Sequence, residues 1–362
     1  NSEVLERKII GKIVKIIGKE ITESLIEENR TIVWEPHEED VSKSDETDII
    51  KLAKQPNILN NLALNLLPHI YWPIEIKKAI ILQLFSGGNT PIENIHILLR
   101  GNLGTAKTES MNCLSQMYGQ NKIIRLPKKD IVGEIIEEKK NIKIKGGPIL
   151  LARGGIVYID NLEEIGVKEK RDIERIITYQ DADIEKKGLA YNFKTGVSLF
   201  VVGNNEALLE KEFKILSEEF TSRFDLVFNL HKNIDKDEEI TSKILNEKLH
   251  LIENESQIKQ DLLKRYIRYA KKNIDPKLTK EAIEQLKKEY SQTRDHDKLY
   301  VQWGLSSPRM IPRNIQSLKK LAIAHAKIRL SKDVEVRDVK EIIKIFKETL
   351  PKIEEAYPIY KF

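Results

Sequence analysis

The chain has 362 residues, 40% hydrophobic and 32% charged, which is enough apolar material for a folded core and too much for a disordered chain. Its 61 Lys+Arg against 56 Asp+Glu leave a net charge of +5, a mild basic excess that does not by itself indicate nucleic acid. A single cysteine, Cys113, excludes an intrachain disulfide and a cysteine zinc site, the seven histidines lack metal-ligand spacing, and no apolar run approaches the ~18 residues of a membrane span. A secreted or membrane protein is therefore not expected, and length suggests about two domains at ~150 residues each.

Residues 8–34 alternate apolar and basic side chains, a pattern open to strand pieces or a short helix. Residues 35–48, with Pro36 and seven Asp or Glu, read as an acidic linker, so residues 1–48 are set apart as an N-terminal segment. Helices are predicted over 48–53, from Pro56-Asn57 through Leu59, Leu62, Leu66 and Leu67, and over 76–85, where Gly87-Gly88 ends the third. Unbroken apolar runs at 95–100, 155–160 and 197–203 predict strands buried on both faces. Between them come a helix at 108–118, a short strand at 122–126 and a helix at 168–180. The alternation predicts an α/β core with a parallel sheet over 49–235. Beyond Asp235, helices are predicted at 238–274, 279–290, 312–330 and 336–349, read as a separate helical lid within 236–362.

The sharpest local feature is Gly101-Asn102-Leu103-Gly104-Thr105-Ala106-Lys107-Thr108. It follows a predicted strand and opens a predicted helix, the context a phosphate loop requires. There, backbone N–H groups at the positive helix end face phosphate oxygens. Lys107 would add a charge on the β- and γ-oxygens, and Thr108 would hold Mg²⁺ through its hydroxyl. The generic pattern has Gly where Ala106 stands, and the loop alone also fits an ordinary strand-to-helix turn. Some fifty positions downstream, a second apolar strand ends in Asp160, a carboxylate suited to supporting the hydration shell of Mg²⁺.

These residues resemble the minichromosome maintenance (MCM) replicative helicases, a branch of the AAA+ ATPases that carries Ala at the position of Ala106. Leu67-Pro68-His69-Ile70-Tyr71 with Glu75-Ile76-Lys77-Lys78-Ala79-Ile80 is similar to the family's segment entering the ATPase core. Thr221-Ser222-Arg223-Phe224-Asp225-Leu226 looks like its arginine-finger motif, and Pro312-Arg313-Asn314-Ile315 followed by Leu318 resembles its lid helix with the second sensor arginine. The resemblance spans roughly residues 50–347. It implies an AAA+ P-loop core with a C-terminal helical lid after a short N-terminal remnant. It implies ATP and Mg²⁺ as cofactors, with Gly101, Asn102, Leu103, Gly104, Thr105, Ala106, Lys107 and Thr108 on the phosphates and Thr108 and Asp160 at the metal. Asn204 would be the first sensor, orienting the attacking water. Arg223 would reach a neighbouring subunit's nucleotide as an arginine finger, and Arg313 would contact phosphate from the lid across the same boundary.

Three departures stand out. The family has a general-base Glu directly after the strand-end Asp, where this chain has Asn161. Glu163 and Glu164 are near in sequence, but strand–turn geometry argues against either replacing it. Residues 1–34 are read as at most the tail of the family's amino-terminal region, and with only 351–362 after the lid no winged helix is expected. The stretch 131–144 looks like the family's helix-breaking insert, with Glu137 to Lys140 as a solvated face. The stretch 183–189 matches a hairpin that faces the ring channel, turning at Gly188. By composition Lys186 and Lys187 are a solvated pair; by position they would meet a DNA phosphate backbone.

The expectation is an MCM-like AAA+ ATPase binding Mg·ATP and DNA, single-stranded and in a ring channel. A homohexamer is expected on assembly, and a monomer in isolation. The rival is a hydrolysis-impaired MCM-like ATP-binding protein with a regulatory or mobile-element role, favoured by Asn161. Clamp-loader and protease-type modules are disfavoured by Ala106 and the lysine hairpin. In a prokaryote the expected location is the cytoplasm, at the nucleoid.

Overall fold

The computed structural model describes residues 4–9, 12–17, 20–22, 43–87, 93–102, 104–117, 122–125, 130–138, 141–186, 189–204, 218–230, 260–302 and 310–350. Three short strands come first: β1 (Val4–Ile9), β2 (Lys12–Ile17) and β3 (Glu20–Thr22). Helices α1 (Lys43–Ala53), α2 (Ile58–Asn65) and α3 (Ile74–Phe85) lead into β4 (Ile97–Gly101), α4 (Lys107–Met117) and β5 (Lys122–Arg125). Next are β6 (Gly133–Glu138), β7 (Asn141–Gly146), α5 (Pro148–Leu151), β8 (Ile156–Asp160) and α6 (Val167–Tyr179). They are followed by β9 (Asp181–Lys186), β10 (Leu189–Lys194), β11 (Ser198–Asn204), α7 (Glu218–Thr221) and β12 (Leu226–Leu230). The last part is helical: α8 (Gln260–Asn273), α9 (Lys280–Gln302), α10 (Arg313–Ile328) and α11 (Val336–Lys347), with a two-strand clip of β13 (Lys277–Leu278) and β14 (Asp333–Val334).

The central sheet has the order β12-β4-β11-β8-β5, and every pairing in it is parallel. Side chains alternate across a strand, and here both faces are covered. Ile97, Leu99, Ile156, Tyr158, Phe200 and Val202 pack on one side. Leu98, Val157, Ile159, Leu199 and Val201 pack on the other, against Ile173, Ile176 and Ile177 of α6. This is why the three strands read as unbroken apolar runs.

The lid does not stand apart. Residues of α1, α2 and α3 share one apolar core with those of α8, α10 and α11. Tyr266 of α8 meets Phe85 of α3 edge-on at 5.0 Å, and its hydroxyl donates to the Ile328 carbonyl. The buried Lys327 donates to the Gly87 carbonyl, and Lys78 pairs with Glu341 at 3.2 Å. Asp225, within the stretch that resembles the arginine-finger motif, accepts from Ser317 at 2.8 Å and Lys320 at 3.0 Å on α10 and from the His96 N–H at 2.8 Å.

Several element readings change. Helix α1 begins at Lys43, inside the stretch read as an acidic linker, because Asp45 and Glu46 fall in its first turn, where the helix dipole favours them. Where it is described, up to Thr22, the basic-apolar N-terminal stretch forms strands, and the insert is the antiparallel hairpin β6–β7. Strand β3 pairs with β7, so the N-terminal strands and the insert make one antiparallel sheet. The helix predicted at 279–290 runs on to Gln302, and much of the one predicted at 238–274 lies outside the described residues.

Candidate functional site

The parallel register brings three strand ends to one edge. Asn204 of β11 stands beside Gly101 of β4, and Val201 of β11 stands beside Ile159, one residue before Asp160. Carboxyl ends of parallel strands are where open α/β sheets bind ligands.

The loop from β4 to α4 owes its shape to its small residues. A Cβ on Gly101 would come within 2.7 Å of the Leu230 Cβ, so no side chain fits there. Gly104 has φ +83°, and a Cβ on it would meet nothing within 4 Å, because that face opens onto a cavity. Ala106 has φ 57°, the left-handed region that Gly adopts freely, which explains the generic preference for Gly at this position. Trp72, just before α3, donates its indole N–H to the Thr105 carbonyl at 2.9 Å and ties the loop to the helical layer.

Lys107 is buried. Its Nζ donates to the carbonyls of Gly101 at 2.8 Å and Asn102 at 2.6 Å, and lies 2.9 Å from Thr105 Oγ1. The Thr108 hydroxyl donates to Asp160 Oδ2 at 3.1 Å, and the Asn161 N–H donates to Asp160 Oδ1 at 3.1 Å. Asn161 itself has φ 59°, and the chain then makes a single 3₁₀ turn, Leu162–Glu164. That turn aims Glu163 back at β11, where its Oε2 accepts the Asn204 N–H at 3.1 Å.

These groups surround a cavity of about 250 Å³. Its lining is Gly104 through Glu109 from the loop and α4, then Asp160, Asn161 and Glu163 after β8, then Val202, Gly203 and Asn204 from β11. A buried ammonium, the N-terminus of a helix, an open glycine face and a hydroxyl–carboxylate pair are the donor set for a polyphosphate with a divalent cation. Among the described residues no group of three or more His, Cys, Asp or Glu could hold a metal.

The structure thus joins Gly104, Thr105, Ala106, Lys107, Thr108, Asp160, Asn161 and Asn204 around one cavity, with Gly101 and Asn102 bound to the Lys107 ammonium. Arg223 and Arg313 do not line it. Arg223 follows α7, donating to Glu219 at 3.0 Å and Thr178 at 3.2 Å, and Arg313 is exposed at the start of α10. Lys186 ends β9 opposite Leu189 of β10. Lys187, Gly188 and Leu103 lie outside the described residues. Sequence reading missed Trp72 as a support of the loop and turned away from Glu163. The one sequence sign of Glu163's course is an Asn at 161, a residue type that tolerates the left-handed turn.

Comparison with known proteins gives two family matches. The MCM P-loop domain matches residues 45–248, and the MCM AAA-lid domain matches residues 261–350. The DNA replication licensing factor MCM4 of Drosophila melanogaster is 29% identical over 328 residues, covering 83% of this chain and 37% of that protein. The minichromosome maintenance protein MCM of Saccharolobus solfataricus is 28% identical over 336 residues, covering 85% of this chain and 47% of that protein. The chain thus spans less than half the length of these relatives.

Proposed function

The chain belongs to the MCM family, and from that premise we propose that it is the ATP-hydrolysing motor module of a DNA-replication helicase, working on single-stranded DNA as a ring of identical subunits. One observation carries this reading: Lys107, Thr108, Asp160 and Asn204 converge on one cavity at the carboxyl edge of the sheet. Lys107 would exchange its bonds within the loop for phosphate oxygens, and α4 would present its N-terminal N–H groups. Thr108 and Asp160 would hold Mg²⁺, which when bound neutralises charge on the β- and γ-oxygens. Asn204 would orient water. Arg223 and Arg313, away from their own chain's cavity, would serve a neighbour's nucleotide. Lys186, which ends β9, and Lys187, next to it in sequence, would meet DNA phosphates without reading bases. The names of the relatives, a replication licensing factor and a minichromosome maintenance protein, support a role in replication.

Asn161 favours a second reading, an ATP-binding subunit that hydrolyses slowly and regulates assembly. Steady-state ATPase assays with and without single-stranded DNA separate the two, since the motor reading expects turnover stimulated by DNA. For both readings, Lys107→Ala should lower affinity for a fluorescent ATP analogue at least about tenfold, the loss of one charge-assisted contact. Unchanged affinity would remove the phosphate loop from the account.

A further inference from the structure

We propose that Glu163 is the catalytic carboxylate of this site, taking the part that the residue directly after Asp160 does not; the inference rests on the ATPase reading above. An amide at Asn161 can hold a water by hydrogen bonds, but it cannot accept a proton at neutral pH. A chain that hydrolyses ATP with this residue needs a base from another position. The turn after β8 supplies one. Asn161 leaves the strand in the left-handed conformation, and Leu162 and Ile165, both buried, pin the ends of the 3₁₀ turn in the core. Between these anchors the two glutamates part. Glu164 is exposed, whereas Glu163 is half-buried and lines the cavity that also holds Lys107 and Thr108.

Its position suits the task. Oε2 accepts the Asn204 N–H at 3.1 Å, so the carboxylate is fixed between the ends of β8 and β11, beside the residue that would orient the water. Oε1 has no hydrogen-bond partner among the described residues. A water held between Asn204 and Oε1 would face the phosphate loop across the cavity. Its oxygen would bond to the γ-phosphorus as the bond from that phosphorus to the bridging oxygen of ADP breaks. Its proton would pass to Glu163 and leave with the phosphate product, so charge and atoms balance with no co-reactant beyond water.

The hydrogen bond to Asn204 raises a structural alternative, that Glu163 merely ties two strand ends together. Glu163→Gln separates the two roles, since its carbonyl oxygen still accepts the Asn204 N–H while the base is lost. The experiment uses the full chain with single-stranded DNA. It reads affinity for ATP, the single-turnover hydrolysis rate, and the chemical state of the nucleotide recovered from the complex. The base role expects affinity within a few fold of wild type, a rate lower by on the order of 10²–10⁴-fold, and bound nucleotide recovered as ATP. Asn161→Glu added to Glu163→Gln should regain turnover, and Glu164→Gln should match wild type. Wild-type hydrolysis in Glu163→Gln would overturn the inference, as would a wild-type chain that binds ATP and never cleaves it. A wild-type chain that fails to bind ATP would instead overturn the ATPase reading on which the inference stands.

Discussion

His96, just ahead of the strand that feeds the phosphate loop, is fully buried, and its Nδ1 accepts the Leu199 N–H at 3.2 Å. Burial, reinforced by the Lys320 charge and only partly offset by Asp225, pulls its pKa from 6.5 down to about 3. The unfolded chain therefore binds this proton more readily than the folded one. The stability tied to neutral His96 is complete above pH 6.5 and is lost as the pH falls from 6.5 toward 3. Between pH 7 and pH 5 the loss is about 2 kcal/mol. His96→Asn can still accept the Leu199 N–H but does not titrate. Urea unfolding at the two pH values should show that variant losing about 2 kcal/mol less than wild type. An unchanged difference would place the pH dependence elsewhere. Single residues are also where sequence reading was weakest. Lys107 and Thr108 could be read because loop, strand and helix are contiguous. Glu163 could not, because its direction depends on one left-handed residue and two buried anchors, which no periodicity records.

Helix α11 shows how a whole element hangs on one carboxylate. Asp338 closes a capping box with Glu335, whose N–H it accepts at 2.7 Å, and it also receives Arg329 at 2.7 Å and contacts His325 Nδ1 at 2.6 Å. Burial alone would push its pKa up, but the hydrogen bonds from His325, Arg329 and the Glu335 N–H outweigh it and hold the carboxyl at about 2. The stability this gives is present above pH 3.8 and is lost as the pH falls through about 2. Asp338→Asn leaves Arg329 without its buried countercharge and should cost about 3 kcal/mol at pH 7 by urea unfolding. A cost below 1 kcal/mol would mean the cap contributes little. Elements with both faces buried were readable from sequence, since a short, continuous apolar run between helical stretches has few places to go but the middle of a sheet. The β6–β7 hairpin was not. Its strands are short and heavily charged, and β7 takes a partner, β3, more than a hundred positions away. Strand β12 escaped notice because its five residues begin at the last residue of a motif read for chemistry.

For the molecule as a whole, alternation along the sequence foretold a parallel sheet but not the order of its strands, which depends on crossovers that no local pattern encodes. Nor did it foretell that the helices before the sheet and those after it would share one core. That sharing sets a timetable for synthesis. Phe85 and Tyr266, which meet in the finished core, are about 180 positions apart, so a ribosome needs on the order of 10–40 s to deliver the second after the first. Throughout that interval Ile80, Ile81, Leu84 and Phe85 lack the helices that later cover them. The emerging chain should therefore depend on a holding chaperone until its last helices appear. Nascent chains stalled with residue 250 just emerged should be cut readily by protease within 43–85, and chains with residue 350 emerged should resist. Equal protection at both lengths would show that the first three helices mature on their own.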